Sequence, residues 1–202
     1  MGKRIGVVLS GCGVMDGSEI HEAVCALLAL DQAGAEVIMI APNIEQAQTM
    51  DHRFGEPMNQ TRNVLTESAR IARGNVKSMD MIAFHDIDAL ILPGGFGAAK
   101  NLSNFADQGS ACEVNPKLEK LLQECLYHNK PIGAMCIAPV ILASVFGRKG
   151  VMVTIGNDAI TAKKIEEMGA EHVECLAENI VVDEKLKVIT TPAYMLAGSI
   201  KE

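Results

Sequence analysis

The sequence predicts a doubly wound α/β fold, a mostly parallel sheet with helices on both faces. Three observations carry this. The short apolar runs Ile5 to Leu9, Ala89 to Leu92 and Ile132 to Met135 have the composition of strands buried on both faces. Amphipathic, helix-forming stretches alternate with these runs, the mark of a covered parallel sheet. Turn residues follow the runs directly, as Ser10-Gly11, Pro42-Asn43 and Pro93-Gly94-Gly95. No repeat, linker or low-complexity tract interrupts the 202 residues, so 1–202 reads as a single domain.

Ile5 to Leu9 is the first strand, and Ser10-Gly11-Cys12-Gly13 turns the chain. Asp16 with Glu19 three residues later has the form of a capping box, and the helix it opens runs to about Ala33, where Gly34 stops it. Glu36 to Ala41 is the second strand. Ile44 to Gly55 reads as loop, and Asn59 to Arg73 as a helix closed by Gly74. The third strand is Ala89 to Leu92. Asn104 to Asn115 is loop-like, and Lys117 to His128 is helical. Ile132 to Met135 runs straight into Cys136, and a helix follows at once from Ile137 to Phe146, with Pro139 in its first turn, where a missing N–H costs little. Then come a strand (Val151 to Ile155), a helix (Ala159 to Met168) and a short strand (His172 to Cys175). Ile180 to Val182 and Lys187 to Thr190 form a small β-hairpin near the C-terminus.

Composition excludes several functions. Apolar residues are 49% and charged residues 21%, which is ordinary for a globular protein, and the net charge of −7 argues against a nucleic-acid partner. The apolar runs are too short to span a bilayer, and the N-terminus enters a strand with no signal peptide, so a cytoplasmic protein without membrane contact is expected. The six cysteines include no CxxC pair and no zinc-ligand spacing, so reduced thiols and no metal are expected. No Gly-Lys-Ser/Thr follows Gly94-Gly95, and Asp16 stands where a dinucleotide loop needs its third glycine, so no nucleotide cofactor is expected.

The chemistry is expected at the carboxyl edge of the sheet. Strand, cysteine and helix without a loop is the plan of a nucleophile elbow, so Cys136 is the candidate nucleophile. Its place at a helix start favours the thiolate. Gly94 and Gly95 let backbone approach a ligand closely. With the Ile137 N–H they would form an oxyanion hole. Glu22 sits one turn into the first helix. Ile20, Ala23, Val24, Leu27 and Leu28 form the expected core stripe there. Glu22, Cys25, Ala26 and Ala29 form a row of small residues that a loop or second subunit would cover. A carboxyl group held there beside a thiol would have a raised pKa and could shuttle protons, although acidic residues are common at helix starts. His85, His128 and His172 precede strands and belong to the opposite edge. His21 and His52 could approach Cys136 but read more simply as surface residues.

Taken together, Gly6 to Gly11 with Gly17 to Glu22, Leu92-Pro93-Gly94-Gly95-Phe96-Gly97, and Gly133 to Pro139 resemble the DJ-1/PfpI superfamily, within the class I glutamine amidotransferase-like fold. Ser10 to Gly13, Thr61 to Leu65, Pro93 to Phe105 and Thr190 to Leu196 are similar to a branch of it described as an isoprenoid-biosynthesis-associated glyoxalase. The resemblance implies Cys136 as nucleophile, Glu22 as its carboxyl partner and Gly95 and Ile137 as oxyanion donors, with Gly94 and Cys12 at the substrate. It implies a homodimer acting on small dicarbonyls without cofactor or metal, and a last helix longer than a chain ending at Glu202 provides. The sequence departs from the amidotransferases, whose His and Glu follow a Thr-Pro, because Thr191-Pro192-Ala193-Tyr194-Met195 stands there. The peptidase branch has His where Ile137 stands, and the glyoxalase branch often has one where Ile155-Gly156 stands.

The expected function is therefore a glutathione-independent glyoxalase that converts glyoxal-type dicarbonyls to hydroxy acids through a cysteine hemithioacetal. The alternatives are a non-catalytic, redox-responsive protein using an oxidisable Cys136, and a protein deglycase.

Overall fold

The three apolar runs pair as neighbouring parallel strands. The computed structural model of the chain describes residues 2–202; Met1, where the expected leaderless N-terminus begins, lies outside them. In chain order the elements are β1 (Arg4–Val8), α1 (Ile20–Gln32), β2 (Glu36–Ala41), β3 (Met50–Asp51), β4 (Glu56–Pro57), α2 (Val64–Ile71), β5 (Lys77–Ser78), β6 (Ala89–Leu92), α3 (Phe96–Lys100), α4 (Phe105–Gln108), α5 (Pro116–Tyr127), β7 (Ile132–Met135), α6 (Pro139–Phe146), β8 (Met152–Val153), α7 (Ala159–Glu167), β9 (Glu171–His172), β10 (Val181–Asp183) and β11 (Val188–Thr191).

The main sheet has the order β10-β11-β7-β6-β1-β2-β5. Its strands are parallel except β10, which returns against β11 as the expected hairpin. The chain first winds outward from β1 to β2 and β5, then comes back to the other side of β1 to lay down β6. The switch point thus falls between β1 and β6, and the loops at their carboxyl ends diverge to leave room for a site.

Successive residues of a strand face opposite ways, so each strand feeds two cores. Val8, Leu90, Leu92, Ile132 and Ala134 meet α5 and α6 in the larger one. Val7 and Leu9 meet Ala23 of α1 and Val64 of α2 in the smaller. Each fully buried Leu, Ile or Phe contributes about 1.5–3 kcal/mol, and Leu118, Leu122, Ile141, Leu142 and Phe146 all lie on the α5/α6 side. That face supplies most of the stability. On the other face α1 and α2 cover only the β1/β2 half, and an apolar groove stays open over β6, β7 and β11, lined by Ile91, Gly133 and Ile189 among others.

Three local expectations are corrected. The α1 cap is Glu19, whose Oε2 accepts the Glu22 N–H at 2.7 Å, and not an Asp16–Glu19 box. Asp16 instead turns away to accept the Met50 N–H at 2.8 Å, tying down the excursion that carries β3 and β4. The predicted α1 core stripe is rotated. Ala23 is buried with Leu27 and Leu30 packed beside it, whereas Ile20, Val24 and Leu28 are 42%, 48% and 55% exposed. Turning Glu22 inward fixes that rotation, because each residue advances 100° around the helix. Finally, α2 starts at Val64 and not Asn59, since Asn63 Oδ1 accepts the Thr66 N–H at 3.0 Å and the Arg62 carbonyl is engaged by Gln46 N–H. β5, α3 and α4 have no periodic signal in the sequence and were not expected.

Candidate active site

β7 delivers Cys136 to the carboxyl edge of the sheet. Its N–H donates to the Thr191 carbonyl at 3.0 Å, continuing the β7–β11 pairing by one residue. Cys136 has φ +59°. A non-glycine residue there stores about 1–3 kcal/mol, and the Thr191 bond holds it in place. The chain then makes one turn, closed by Ala138 N–H on the Met135 carbonyl, and α6 begins at Pro139, two residues later than expected. The elbow geometry is therefore present, with the Ile137 N–H left free of the helix and aimed at Cys136 Sγ.

The turn after β6 closes over the thiol from the other side. A β-carbon on Gly94 would lie 2.6 Å from Glu22 Oε2 and 2.9 Å from Cys136 Sγ, so no other residue fits between these two groups. Gly95, at φ +92°, turns its N–H toward the sulfur. The same turn is laced to the loop before α1 by Glu19 N–H on the Gly94 carbonyl (2.9 Å) and Gly97 N–H on the Gly17 carbonyl (2.9 Å).

Glu22 Oε2 and Cys136 Sγ both lie against the Cα of Gly94, so the carboxyl group faces the thiol. Its Oε2 accepts the Gly94 N–H at 2.9 Å and its Oε1 the Tyr194 N–H at 3.1 Å. Glu22 is 5% exposed and Cys136 8%. Burial raises the Glu22 carboxyl above its ordinary value, against the pull of the Tyr194 N–H, the thiol and the Gly94 N–H. Burial, and next the facing Glu22 charge, push the Cys136 thiol up to about 12, outweighing the N–H groups of Gly95 and Ile137. This reverses the expectation of a thiolate stabilised by the helix start: a negative neighbour in a dry site counts for more than one turn of helix. The pair is a protonated thiol beside a carboxyl group whose raised pKa suits it to exchange a proton with its neighbour.

Cys136, Glu22, Gly94, Gly95 and Ile137 thus converge. Cys12 is placed differently: it lies half-buried on the loop after β1, with Arg70, Glu67 and Asp16 as its charged neighbours. His52 packs against Gly13 and accepts the Met15 N–H at 3.1 Å. His85 and His128 flank Phe84, and His172 Nε2 accepts the Ile155 N–H at 3.4 Å. None of these is among the groups around the thiol. The place where the glyoxalase branch often has histidine is filled: Leu196 packs directly on Gly156.

His21 is exposed, as the surface reading expects, but it bonds Tyr194, a residue for which the sequence offered no role. Tyr194 reaches Glu22 through its backbone, which no residue-type pattern reveals; the signal was only that Thr191-Pro192 occupies the place of the amidotransferase triad. Its hydroxyl shares a 3.0 Å hydrogen bond with His21 Nδ1. A cavity of about 260 Å3 abuts Glu22 here, lined also by His21, Cys25, Met135, Thr191 and Tyr194.

A doubly wound sheet with a cysteine elbow, two backbone donors and a facing carboxyl group defines a cysteine–carboxylate member of the glutamine amidotransferase-like class. The profile of the DJ-1/PfpI family matches residues 12–196, and the chain belongs to that family. It is 48% identical to the human glutamine amidotransferase-like class 1 domain-containing protein 3, mitochondrial, over 95% of this chain and 75% of that protein. It is equally similar to the rat ES1 protein homolog, mitochondrial, with the same coverage. Among solved structures, the isoprenoid biosynthesis protein with amidotransferase-like domain from Ehrlichia chaffeensis superposes with a TM-score of 0.91 at 39% identity, over 98% of this chain and 91% of that one. The resemblance is to the ElbB-like members of the family.

Proposed function

We propose that the protein is a cofactor-independent glyoxalase acting on glyoxal-type dicarbonyls. The observation that carries this is the buried thiol–carboxylate pair separated only by Gly94, with two N–H donors at the sulfur. As Cys136 Sγ bonds to the aldehyde carbon, its proton passes to Glu22 Oε2. The carbonyl oxygen develops negative charge beside the Gly95 and Ile137 N–H groups and then takes that proton, giving a hemithioacetal. Glu22 next removes the C–H proton of the same carbon, giving an enediol(ate), and returns it to the neighbouring carbon while the hydroxyl proton passes from the first oxygen to the second. One carbon is thus oxidised to the thioester carbonyl as the other is reduced to CH2OH. The resulting thioester of a 2-hydroxy acid is cleaved by water, which regenerates the thiol and releases glycolate from glyoxal. The redox change is internal, so the step needs no cofactor.

Amide hydrolysis is disfavoured in this reading, because no histidine stands at the thiol to protonate a leaving amine. The second reading, a redox-responsive Cys136, uses the same thiol and carboxyl pair, and it predicts oxidation of Cys136 by peroxide without dicarbonyl turnover. The compartment in this reading is reducing, since all six cysteines are free; we take it as the cytoplasm, whereas "mitochondrial" stands in the animal relatives' names. Among the described residues no helix is long and apolar enough to cross a membrane. A role in isoprenoid biosynthesis is stated of the Ehrlichia protein and is not needed for this chemistry.

The test is glyoxal consumption and glycolate formation by purified protein. Cys136→Ala is expected to reduce turnover to background, and Glu22→Gln to lower kcat by about 10²–10⁴-fold. Because Glu22 must be ionised to accept the thiol proton, kcat/KM should rise with pH through the raised Glu22 value. Undiminished turnover in both variants would refute the reading.

A further inference from the structure

We propose that His21 and Tyr194 are positioning residues for Glu22: their side-chain hydrogen bond clasps the turn at residues 192–196 onto α1 and so keeps the Tyr194 N–H on Glu22 Oε1. The inference deepens the dyad reading above and rests on Glu22 as the proton acceptor.

The geometry has three parts. First, the two oxygens of Glu22 have different surroundings. Oε2 faces Gly94 and the thiol, and Oε1 is held by Tyr194 from the side of the cavity. Second, the turn that supplies the Tyr194 N–H is poorly secured by its own backbone. Its bonds are local, Met195 N–H to Pro192 and Leu196 and Ala197 N–H to Ala193. Ala193 sits at φ +45°, a conformation that an alanine abandons unless something holds it. Third, Tyr194 ties the turn to the body twice. Its N–H meets Glu22, and its hydroxyl meets His21 Nδ1 at 3.0 Å across 173 residues of chain, with the rings 5.8 Å apart. His21 precedes Glu22 on α1, so the clasp fixes the donor relative to its acceptor. The Leu196 contact on Gly156 anchors the far end of the turn.

Without the clasp, Oε1 loses a backbone donor that favours the ionised carboxylate, and the burial of Glu22 goes less opposed. The titratable groups that face Glu22 are Glu19 from the start of α1, Cys136 from the elbow, and His21, Cys25, Tyr194 and Glu202 around the cavity. Of these, the clasp variants remove only His21 or the Tyr194 hydroxyl.

The readout is the rate of Cys136 alkylation by iodoacetamide against pH, followed on the Cys136 peptide by mass spectrometry. It needs no dicarbonyl turnover. Below the Glu22 pKa both groups hold their protons and the thiol reacts slowly. Above it, the ionised carboxylate can draw off the thiol proton as sulfur attacks, and the rate rises to a plateau. In Tyr194→Phe and His21→Ala the midpoint is expected to move up by about 0.5–1 pH unit, and the plateau rate to increase. The double variant should match the singles, because both remove one interaction. His21→Gln, which keeps a partner for the tyrosine hydroxyl, should retain the original midpoint. A midpoint unmoved in Tyr194→Phe and His21→Ala would overturn the proposal, as would a rate raised equally at every pH, the sign of simple loosening. A shifted midpoint in a protein that does not turn over glyoxal would uphold the clasp and refute the glyoxalase.

Discussion

Gly94 sets the spacing of the dyad. The thiol and the carboxyl group can share a proton because the residue between them has no side chain, and its N–H also fills one lone pair of Glu22 Oε2. Gly94→Ala should therefore destabilise the fold by about 1–3 kcal/mol through overpacking. It should also abolish dicarbonyl turnover, because Glu22 or Cys136 must swing out of line. Thermal melting with an activity assay checks both. A variant that melts lower yet keeps wild-type kcat would show that the pair does not need this spacing. At the same scale, a strand running straight into cysteine marks Cys136 and, just after it, Ile137, whereas Gly94-Gly95 read alone as a tight turn and Glu22 as a carboxylate in a first turn. It is the family resemblance that draws them together into one candidate site. Tyr194 carries no such mark, because what it contributes is a peptide N–H.

The elements that hold these residues differ in how readable they are. The elbow, β6 and β7 are local constructions, and short apolar strands ending in glycine or cysteine announce them. The rotation of α1 is not local. Its sequence offers an apolar row at Ile20, Val24 and Leu28 and a thinner one at Ala23, Leu27 and Leu30, and the tertiary structure buries the thinner one because Glu22 must reach the thiol. α2 shows the converse case, in which a single cap overrides a longer helical pattern. Asn63→Ala should lower stability by about 1 kcal/mol, read as a shift of the denaturation midpoint. It should leave the kinetic constants alone, since α2 contributes no group to the Glu22–Cys136 pair. A change in kcat would mean that the cap also acts on the site.

At the scale of the molecule, the exposed stripe Ile20, Val24 and Leu28 lies on the outer side of the helix that carries Glu22. Large apolar side chains in a row on a helix mark an association surface more often than a solvent face. The family resemblance implies a homodimer, and we propose this stripe as the surface through which two copies of the chain would pack, stiffening α1 behind the site. Val24→Glu combined with Leu28→Glu should then give a monomer by sedimentation equilibrium, with turnover reduced as α1 loosens. A monomeric wild-type protein, or a double variant that sediments as a dimer, would rule out this surface. The open groove over β6, β7 and β11 is a separate feature on the same side of the sheet.

The sequence by itself determined the strand succession and the elbow, because these depend on residue type and short spacing. By position alone Glu22 reads as an ordinary first-turn carboxylate, and its pairing with Cys136 comes from the family resemblance. Only the tertiary structure decided which face of α1 is buried, that the thiol is raised and not lowered, and that the 192–196 turn donates to Glu22. The reason is common to all three. They depend on groups far apart in the chain meeting in a dry site, where burial and one facing charge outweigh anything the local helix start supplies.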